Sequence, residues 1–386
     1  MSPIAPGSLM CVVGARPNYM KMAPLIRAFG EQSGLPPVTL IHTGQHYDVA
    51  MNERLFRDLE LPAPDLNLEV GSASHAVQTA EVMRRIEPVL DQFAPACVVV
   101  VGDVNSTLAV ALVSAKKSIP IVHVEAGLRS FDRAMPEEIN RVLTDQIADV
   151  LYITERSAAD NLKREGIAAG RIRFVGNVMI DSVVRNRARA APAAATLERE
   201  GASLRPGTRG FALVTLHRPS NVDDRHSLEQ SLRVLRDVAH QLPVIWPVHP
   251  RTRANIDKFG LRSLAETDGI FVLPPQGYLE MLGLMADARV VLTDSGGIQE
   301  ETTALAVPCL TMRENTERPI TVDEGTNTLV GRDPGRIAAC LAEILAGRGK
   351  SGRRPELWDG RAAQRIAQDL ATWLAARNEP AEEVVA

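Results

Sequence analysis

The sequence predicts an α/β protein with two Rossmann-like, doubly wound domains that face each other across a cleft. Short runs rich in Val, Ile and Leu alternate with longer helical patterns along the whole chain, which is typical of parallel sheets covered by helices on both faces. The length of 386 residues exceeds what one ordinary core holds, so two domains are expected. The apolar runs also fall into two sets.

The predicted strands of the first set are residues 9–13, 38–42, 97–101, 119–124, 150–153 and 172–175. Those of the second set are residues 211–216, 244–248, 270–273, 290–293, 307–311 and 328–330. Residues 185–210, with an Ala-rich stretch and then Pro206-Gly207, separate the two sets and predict the domain boundary. We therefore expect domains at 1–185 and 205–350, and a helix at 358–377 that packs back on the first domain.

Composition and charge exclude several classes of protein. The chain has 45% hydrophobic and 23% charged residues, and its net charge is −4, which gives no general attraction to nucleic acid or to anionic membranes. The first ten residues lack the pattern of a secretory signal, and no apolar run approaches the ~20 residues that span a bilayer. These observations predict a cytoplasmic protein. Any anion site must be formed by a few basic residues in one place, because the chain as a whole is not basic.

The stretch from Asp294 to Glu301 follows a predicted strand and enters a helix. Gly296 and Gly297 permit a tight turn and a close backbone approach, and the first N–H groups of the helix can bind an anion such as a phosphate. Ser295 adds a hydroxyl, and Glu301 lies one to two helical turns further on, where it could accept hydrogen bonds from a sugar. The alternative is an ordinary strand-to-helix turn in which Ser295 is the N-cap.

Basic side chains recur at the carboxyl ends of predicted strands, where ligands bind in open parallel sheets. Arg16, Lys21 and Arg318 hold such positions, and Arg129 and His217 are further candidates. Several cations together with a glycine turn fit a diphosphate better than a single carboxylate. A single arginine is more often a surface or salt-bridge residue, so the prediction depends on their shared location.

The acidic candidates are Asp103, Glu125, Glu137 and Glu138. Asp103 and Glu125 follow apolar strands, where loss of solvation can raise a carboxyl pKa toward neutrality and allow proton transfer. Glu137 and Glu138 also fit a helix start, because they follow Pro136 at the positive end of the helix dipole.

Histidines supply further candidates for function. His217 and His249 each end a strand, which favours a functional role. His42, His46 and His123 are interpreted as structural.

Redox and metal chemistry have no visible site in the sequence. No G-x-G-x-x-G follows the first strand of either domain, a Walker loop is absent, and the four cysteines lack metal-ligand spacing. We therefore expect no cofactor and no metal. The reaction classes that remain are group transfer, and elimination and addition with a nucleoside diphosphate as the leaving group.

A series of short motifs runs along nearly the whole chain. They are Gly14-Ala15-Arg16-Pro17, Lys21-Met22-Ala23-Pro24, Thr43-Gly44-Gln45-His46, Gly102-Asp103, His123 to Arg129, Pro136-Glu137-Glu138, His217-Arg218, Asp294 to Glu301, Thr316-Glu317-Arg318-Pro319 and Gly325-Thr326-Asn327. In this order they resemble the non-hydrolysing UDP-N-acetylglucosamine 2-epimerases, a family with the glycosyltransferase-B type of fold. Ala15 and Asn18 depart from the family pattern, which usually has Thr and Glu there.

The resemblance implies roles for individual residues. The residues implied to bind the diphosphate are Arg16, Lys21, His217, Ser295, Gly296, Gly297 and Arg318. Glu301 would bind the ribose and the loop of Gln276 the uracil. Asp103, Glu125 and Glu137 would transfer protons, with His217 as a further catalytic residue. Gln45 and His249 match an effector site in part.

The resemblance also implies a reaction. UDP-N-acetylglucosamine would lose UDP to form an enzyme-bound 2-acetamidoglucal, and UDP would return after protonation of the other face, giving UDP-N-acetylmannosamine for surface polysaccharide biosynthesis. The expected partner is a UDP-sugar, and the expected assembly is a homodimer. The alternatives are a hydrolysing epimerase that releases UDP and N-acetylmannosamine, an epimerase of a modified UDP-sugar such as a diacetamido-uronate, a glycosyltransferase on the same fold, and a UDP-sugar-binding protein without catalysis.

Overall fold

The structure, a computed structural model, describes residues 5–44, 49–202, 204 and 210–378. The chain divides into two compact units. Unit 1 consists of Met1–Ser182 together with Glu356–Ala386, and unit 2 is Val183–Pro355. Each unit contains a parallel sheet with helices around it, so the predicted class of two parallel α/β domains is confirmed.

The sheet of unit 1 has seven strands in the described part of the chain. They are β1 (Leu9–Val13), β2 (Val38–His42), β3 (Leu66–Asn67), β4 (Cys97–Val101), β5 (Ile121–Ala126), β6 (Val150–Ile153) and β7 (Ile172–Phe174). Their order is β3-β2-β1-β4-β5-β6-β7, and all pairs are parallel. Strands β1, β4 and β5 are buried along their whole length, which explains their nearly continuous apolar sequences.

The helices of unit 1 follow the strands in alternation. They are α1 (Arg16–Glu31), α2 (Val49–Asp58), α3 (His75–Phe93), α4 (Asn105–Lys116), α5 (Pro136–Ile147), α6 (Arg156–Arg164) and α7 (Val178–Asn186). A 3-10 turn at Ala169–Arg171 precedes β7. The boundary between the two units falls within α7. Helix α4 is buried at most positions and packs between α3 and α5.

The sheet of unit 2 has six strands among the described residues. They are β8 (Ala212–Thr215), β9 (Val244–Pro247), β10 (Ile270–Leu273), β11 (Val290–Thr293), β12 (Cys309–Thr311) and β13 (Asn327–Leu329). Their order is β10-β9-β8-β11-β12-β13, again with parallel pairs. The order reverses between β8 and β11, just as it reverses between β1 and β4 in unit 1. Ligands of open α/β sheets bind at such switch points.

The helices of unit 2 are α8 (Ala193–Arg199), α9 (Pro219–Val222), α10 (Arg225–Ala239), α11 (Pro250–Phe259), α12 (Arg262–Ala265), α13 (Tyr278–Asp287), α14 (Gly296–Leu305), α15 (Pro319–Asp323) and α16 (Pro334–Leu345). The Asp224 carboxylate caps α10 by accepting from the Ser227 N–H. Helix α10 buries Leu228, Leu232 and Leu235 against the sheet, as their spacing of three and four residues predicts.

The last helix, α17 (Ala362–Asn378), belongs to unit 1, where it packs on α1. It begins four residues later than the sequence predicts. Trp358 precedes it as a buried anchor whose indole N–H donates to the Thr154 carbonyl at 3.1 Å, and Asp181 accepts from the first N–H groups of the helix at Ala362 and Ala363. The carboxylate of another helix thus supplies the N-terminal cap.

Strand boundaries differ from the prediction where local geometry intervenes. Strand β12 begins at Cys309 rather than at residue 307, because Pro308 has no N–H to donate to a ladder. The two-residue edge strand β3 was not predicted, since two residues carry no periodicity. No helix in the described ranges is both long and apolar enough to cross a membrane.

Candidate active site

The first turn at the switch point of unit 1 joins β1 to α1. The Asn18 side-chain oxygen accepts from the backbone N–H groups of Gly14 and Ala15 at 3.2 and 3.1 Å, and its amide donates to the Val101 carbonyl at 3.0 Å. A Cβ atom on Gly14 would lie 2.3 Å from the Ser106 hydroxyl, so only glycine fits. Asn18 therefore ties the ends of β1 and β4 together. Arg16 begins α1 directly after this turn.

Lys21 and Glu125 form a buried ion pair near this turn. The ammonium Nζ lies 2.6 Å from Glu125 Oε1, and both side chains are almost fully buried. Gly102 adjoins them, since a Cβ there would lie 3.0 Å from Lys21 Nζ. The structure thus joins a predicted phosphate-binding cation to a predicted proton-transfer acid, in one charge-balanced pair.

Glu125 has an unusual backbone. Its φ is +71°, a left-handed value that is uncommon for a residue other than glycine. The ladder between β5 and β6 shifts register between Val124 and Ala126, so Glu125 bulges out of the strand. Bulges that redirect a side chain occur next to active sites. This strain agrees with a functional role for Glu125.

Asp103 follows β4 and contacts α5. Its carboxylate forms an ion pair with the Arg141 guanidinium, which also binds Glu138 Oε2 at 2.6 Å. Glu138 in turn accepts from the backbone N–H groups of Ser130 and Phe131, both at 2.9 Å. Glu138 is therefore occupied in holding the loop before α5. Glu137 is half-buried in the first turn of the same helix.

Arg129 was a candidate ligand-binding cation, and its surroundings point to a different role. Its guanidinium is buried and lies 2.7 Å from Asp145 and 2.6 Å from Glu165. Two carboxylates of unit 1 thus neutralise it. The sequence could not show this, because Asp145 and Glu165 follow Arg129 by 16 and 36 residues.

In unit 2 the glycine turn, residues Asp294–Gly297, lies between β11 and α14. Helix α14 begins at Gly296 with Ser295 as its N-cap, but the Ser295 side chain makes no capping hydrogen bond. Instead, the Ser295 backbone N–H donates to Thr293 Oγ1 at 3.0 Å. The Ser295 hydroxyl therefore does not saturate the first N–H groups of α14, which favours the anion site over the plain cap.

Arg318 lies directly against this helix start. A Cβ on Gly296 would lie 2.5 Å from the Arg318 guanidinium. Like Arg129, Arg318 has two carboxylate partners, Glu300 at 2.9 Å and Glu317 at 2.7 Å, and Glu317 also binds Arg313 at 2.8 Å. Arg318 differs from Arg129 because its guanidinium lies against the start of a helix. The cation and the open helix start adjoin each other, as a phosphate site requires.

Asp294 organises the neighbouring turn after β8. Its buried carboxylate accepts from the backbone N–H groups of His217 and Arg218, at 3.0 and 2.8 Å, and from the Asn221 amide at 3.1 Å. The His217 ring nitrogen Nδ1 lies 3.0 Å from the same carboxylate. Burial works against ionisation, but these contacts hold the pKa of Asp294 below its ordinary value. Asp294, which the sequence marked only as part of the motif, thus orients His217.

Glu301 differs from the other acids of the site. It is buried in α14, and burial together with the charge of Glu300 raises its pKa to about 8. An acid with this pKa keeps its proton at neutral pH until a partner stabilises the charge. A ribose that offers two hydroxyl groups is such a partner.

The remaining predicted residues have less direct support. The Gln276 amide donates to the Pro274 carbonyl at 2.9 Å, and its oxygen accepts from Arg199 at 2.7 Å, so this side chain holds its own loop. The His249 ring lies 5.5 Å from the His217 ring, and its Nδ1 accepts from the Arg251 N–H at 3.2 Å. Gln45 lies outside the described residues.

Gln299 is a residue of the site that the sequence did not single out. It is fully buried. Its amide donates to the Ser295 carbonyl at 3.2 Å, and its oxygen accepts from Thr316 at 2.7 Å and from Asn327 at 2.9 Å. Gln299 therefore joins three of the sequence motifs around Arg318. Its place inside the motif Asp294 to Glu301 was the available signal.

Two parallel α/β units, each with charged side chains at its switch point, define an enzyme of the glycosyltransferase-B type. The sequence profile of UDP-N-acetylglucosamine 2-epimerases matches residues 31–371. The chain belongs to the UDP-N-acetylglucosamine 2-epimerase family, which confirms the resemblance that the motifs indicate.

Relatives and solved structures support this assignment. The UDP-N-acetylglucosamine 2-epimerase of Methanococcus maripaludis is 41% identical over 86% of this chain and 90% of its own. The UDP-2,3-diacetamido-2,3-dideoxy-D-glucuronate 2-epimerase of Pseudomonas aeruginosa is 40% identical over 94% of this chain and 99% of its own. The crystal structure of the Methanocaldococcus jannaschii UDP-GlcNAc 2-epimerase with UDP-GlcNAc and UDP has a TM-score of 0.86 and 39% identity, and the match covers 95% of this chain and 99% of that one.

Proposed function

We propose that the protein reversibly converts UDP-N-acetylglucosamine into UDP-N-acetylmannosamine without a cofactor. The observation that carries the proposal is the combination of an open helix start beside Arg318 in unit 2 with the strained, ion-paired Glu125 in unit 1. The first arrangement suits a diphosphate leaving group, and the second suits proton transfer. The M. jannaschii structure, which contains UDP-GlcNAc and UDP, supports a nucleotide sugar as the substrate.

Unit 2 would bind the UDP part of the substrate. In this proposal the diphosphate lies on the N–H groups at the start of α14, next to Ser295, Gly297 and Arg318. Arg16 and Lys21 keep the diphosphate-binding role that the resemblance implies. Glu301 accepts the ribose hydroxyls, and the loop of Gln276 contacts the uracil. Because Arg318 and the helix start are held in place before the reaction, they stabilise the charge that develops on the departing UDP.

The carboxylates of unit 1 would move the proton. One carboxylate removes the proton from carbon 2, the electrons of that bond form a double bond between carbons 1 and 2, and the bond from carbon 1 to the diphosphate oxygen breaks. The bound products are 2-acetamidoglucal and UDP. A proton then adds to the other face of carbon 2 while UDP returns to carbon 1, so no water is consumed.

Inversion requires one group that takes the proton and another that returns it on the opposite face. Glu125 and Asp103 are the proposed pair, with Glu137 as a third acid. The Lys21 ammonium beside Glu125 and the Arg141 guanidinium beside Asp103 can compensate charge as the carboxylates gain and lose protons. His217, oriented by Asp294, would act on the diphosphate oxygen as it leaves.

Turnover in heavy water tests the proposal. UDP-N-acetylglucosamine should give UDP-N-acetylmannosamine with deuterium on carbon 2 of both sugars and no free UDP, as followed by NMR. Protium retained on carbon 2 after equilibration would contradict it. Accumulation of UDP and N-acetylmannosamine would instead establish the hydrolysing reaction.

Matched variants assign the activity to the site. Asp103→Asn and Glu125→Gln should lower kcat by about 10²–10⁴-fold, the usual contribution of a general acid or base. Glu356→Gln makes the same chemical change in an exposed ion pair of unit 1 and should leave kcat unchanged. Full activity of Asp103→Asn or Glu125→Gln would remove that residue from the proton-transfer set.

A second candidate substrate is a UDP-diacetamido-uronate. The P. aeruginosa relative, named for such a sugar, is about as similar to this chain as the M. maripaludis relative. Parallel assays with both sugars distinguish the two candidate substrates, because the true substrate should have the higher kcat/KM.

We also propose that the enzyme is a cytoplasmic homodimer, as the resemblance implies. Sedimentation of the purified chain at twice the monomer mass would agree with the dimer, and sedimentation at the monomer mass would contradict it.

A further inference from the structure

A buried aspartate–histidine pair in unit 1 connects the two turns that carry Asp103 and Glu125. The His123 side chain is fully buried within β5. Its Nδ1 lies 2.7 Å from Asp145 Oδ1, and its Nε2 lies 2.8 Å from the Gly102 carbonyl oxygen. Gly102 immediately precedes Asp103, so His123 contacts the turn that carries the first proposed acid.

The second oxygen of the same carboxylate reaches the other turn. Asp145 Oδ2 accepts from the Gly127 backbone N–H at 3.0 Å and lies 2.7 Å from the Arg129 guanidinium. Gly127 follows Glu125 by two residues and lies next to the bulge. One carboxylate therefore links the turn after β4, through His123, to the turn after β5.

The protonation of the pair follows from its partners. A carbonyl oxygen only accepts, so His123 Nε2 carries a hydrogen. Asp145 is ionised, because His123 and Arg129 hold its pKa below the ordinary value although burial works against this. The His123 ring and the Arg129 guanidinium are thus the two side-chain partners of Asp145, and Arg129 also binds Glu165.

Backbone conformation makes both turns depend on these hydrogen bonds. Gly102 and Gly127 have φ values of +67° and +78°, and neither carries a side chain that could anchor the turn. Besides the His123 contact, Gly102 donates its N–H to the Val124 carbonyl at 3.0 Å. The turn at Gly102 is thus held by contacts with β5, and the turn at Gly127 by Asp145 of α5 and by Asn161 of α6, whose amide donates to the Gly127 carbonyl at 2.9 Å.

We propose that His123 is a positioning residue that, through its contact with Gly102, holds the carboxylates of Asp103 and Glu125 at a fixed separation for proton transfer, and that Asp145 orients its ring. The proposal rests on the proposed function of these two acids. A misplacement of about 1 Å can cost about 10²-fold in rate, so loss of the link should appear in kcat. UDP binding is assigned mainly to the helix start, Arg318 and Glu301 of unit 2, so it should change little.

Two amide substitutions separate the two contacts of His123. In His123→Gln the amide nitrogen occupies the place of Nε2 and can still donate to Gly102. In His123→Asn the amide nitrogen occupies the place of Nδ1, so the contact with Asp145 survives but the link to Gly102 is lost. We expect kcat to fall about 10²-fold in His123→Asn and to stay within about tenfold of wild type in His123→Gln, with the Kd for UDP within about twofold in both. Val98→Ala, at the opposite end of β4, is the control for general destabilisation of the sheet.

Amide hydrogen exchange reports on the link without reference to catalysis. Peptides covering residues 102–106 should exchange faster in His123→Asn than in His123→Gln or Val98→Ala. Equal exchange and an equal fall in kcat in the two His123 variants would overturn the proposal, as would a kcat loss of the same size in Val98→Ala. If the wild type fails to exchange the hydrogen on carbon 2, the proposed function fails, and the exchange of peptides 102–106 still decides whether the link exists.

Discussion

Each unit contains an aspartate–histidine pair, and the two pairs differ in what lies beyond the imidazole. His123 is fully buried and uses both ring nitrogens, one toward Asp145 and one toward the Gly102 carbonyl. His217 contacts Asp294 in the same way, but 37% of its side chain is exposed. The same two residue types therefore suit two tasks. A ring with both nitrogens bound holds the backbone, whereas a ring with one exposed side can act on a ligand.

The buried acids show a parallel difference. In unit 1, Glu125 faces Lys21, and Asp145 faces His123 and Arg129. In unit 2, Glu301 has Glu300 as its charged neighbour, and its pKa rises to about 8. Glu125 and Asp145 thus face basic side chains, whereas Glu301 lies beside another acid and keeps its proton until a ligand binds.

The largest expected effect concerns His217. His217→Asn keeps an N–H near Asp294 but removes the imidazole, so kcat should fall about 10³-fold with no change in melting temperature. Steady-state kinetics and thermal denaturation measure both. His217→Gln, unlike His123→Gln, should not restore activity, because an amide cannot transfer a proton. A normal kcat in His217→Gln would show that both histidines act only by positioning, and it would contradict the catalytic role of His217.

The next effect concerns stability. Asp145→Asn should lower the free energy of unfolding of unit 1 by about 3 kcal/mol, because the buried Arg129 guanidinium loses one of its two counter-charges and the His123 ring loses a charged acceptor. Asp294→Asn should cost unit 2 about 1–2 kcal/mol, since three of its partners are uncharged N–H groups. Urea unfolding read by pulsed hydrogen exchange distinguishes the units. Equal losses of unfolding free energy in the two variants would show that the charged contacts of Asp145 add nothing to the stability of unit 1.

The smallest effect is a pH dependence of UDP affinity. Glu301 is largely protonated at pH 7 because its pKa is about 8. If the ribose binds the carboxylate form, binding lowers this pKa and releases a proton, so affinity should increase about tenfold from pH 7 to 9 and level off above the free pKa. Calorimetry in buffers of different ionisation enthalpy measures the proton release. Glu301→Gln should abolish it, and an unchanged release in that variant would exclude Glu301 as its source.

Regular elements with strong patterns could be predicted from the sequence. Strands β1, β2, β4, β6, β10 and β11 have the predicted bounds, because parallel strands that are covered on both faces need largely apolar runs. Strand β5 could not be bounded in this way. Its end includes Glu125 in a bulge, and no local pattern shows where a ladder changes register.

The sequence predicted which reactive side chains belong to the site, but it did not predict most of their contact partners. The strand-end positions of Asp103, Glu125 and His217 follow from the order of elements. Their partners Arg141, Lys21 and Asp294 lie 38, 104 and 77 residues away in sequence, beyond the reach of any periodicity. Arg129 shows the consequence, since its position suggested a ligand cation while its contacts are with Asp145 and Glu165.

The sequence by itself determined the α/β class, the two sets of parallel strands, the glycine turn and the family, because each depends on residue type at short spacing along the chain. Only the tertiary structure decided which cations neutralise which acids, that Asn18 and Gln299 fasten turns, and that His123 is enclosed while His217 is partly exposed. The physical reason is that protonation and charge depend on burial and on distances of a few ångströms between atoms. These are set by packing between distant segments rather than by the order of residues.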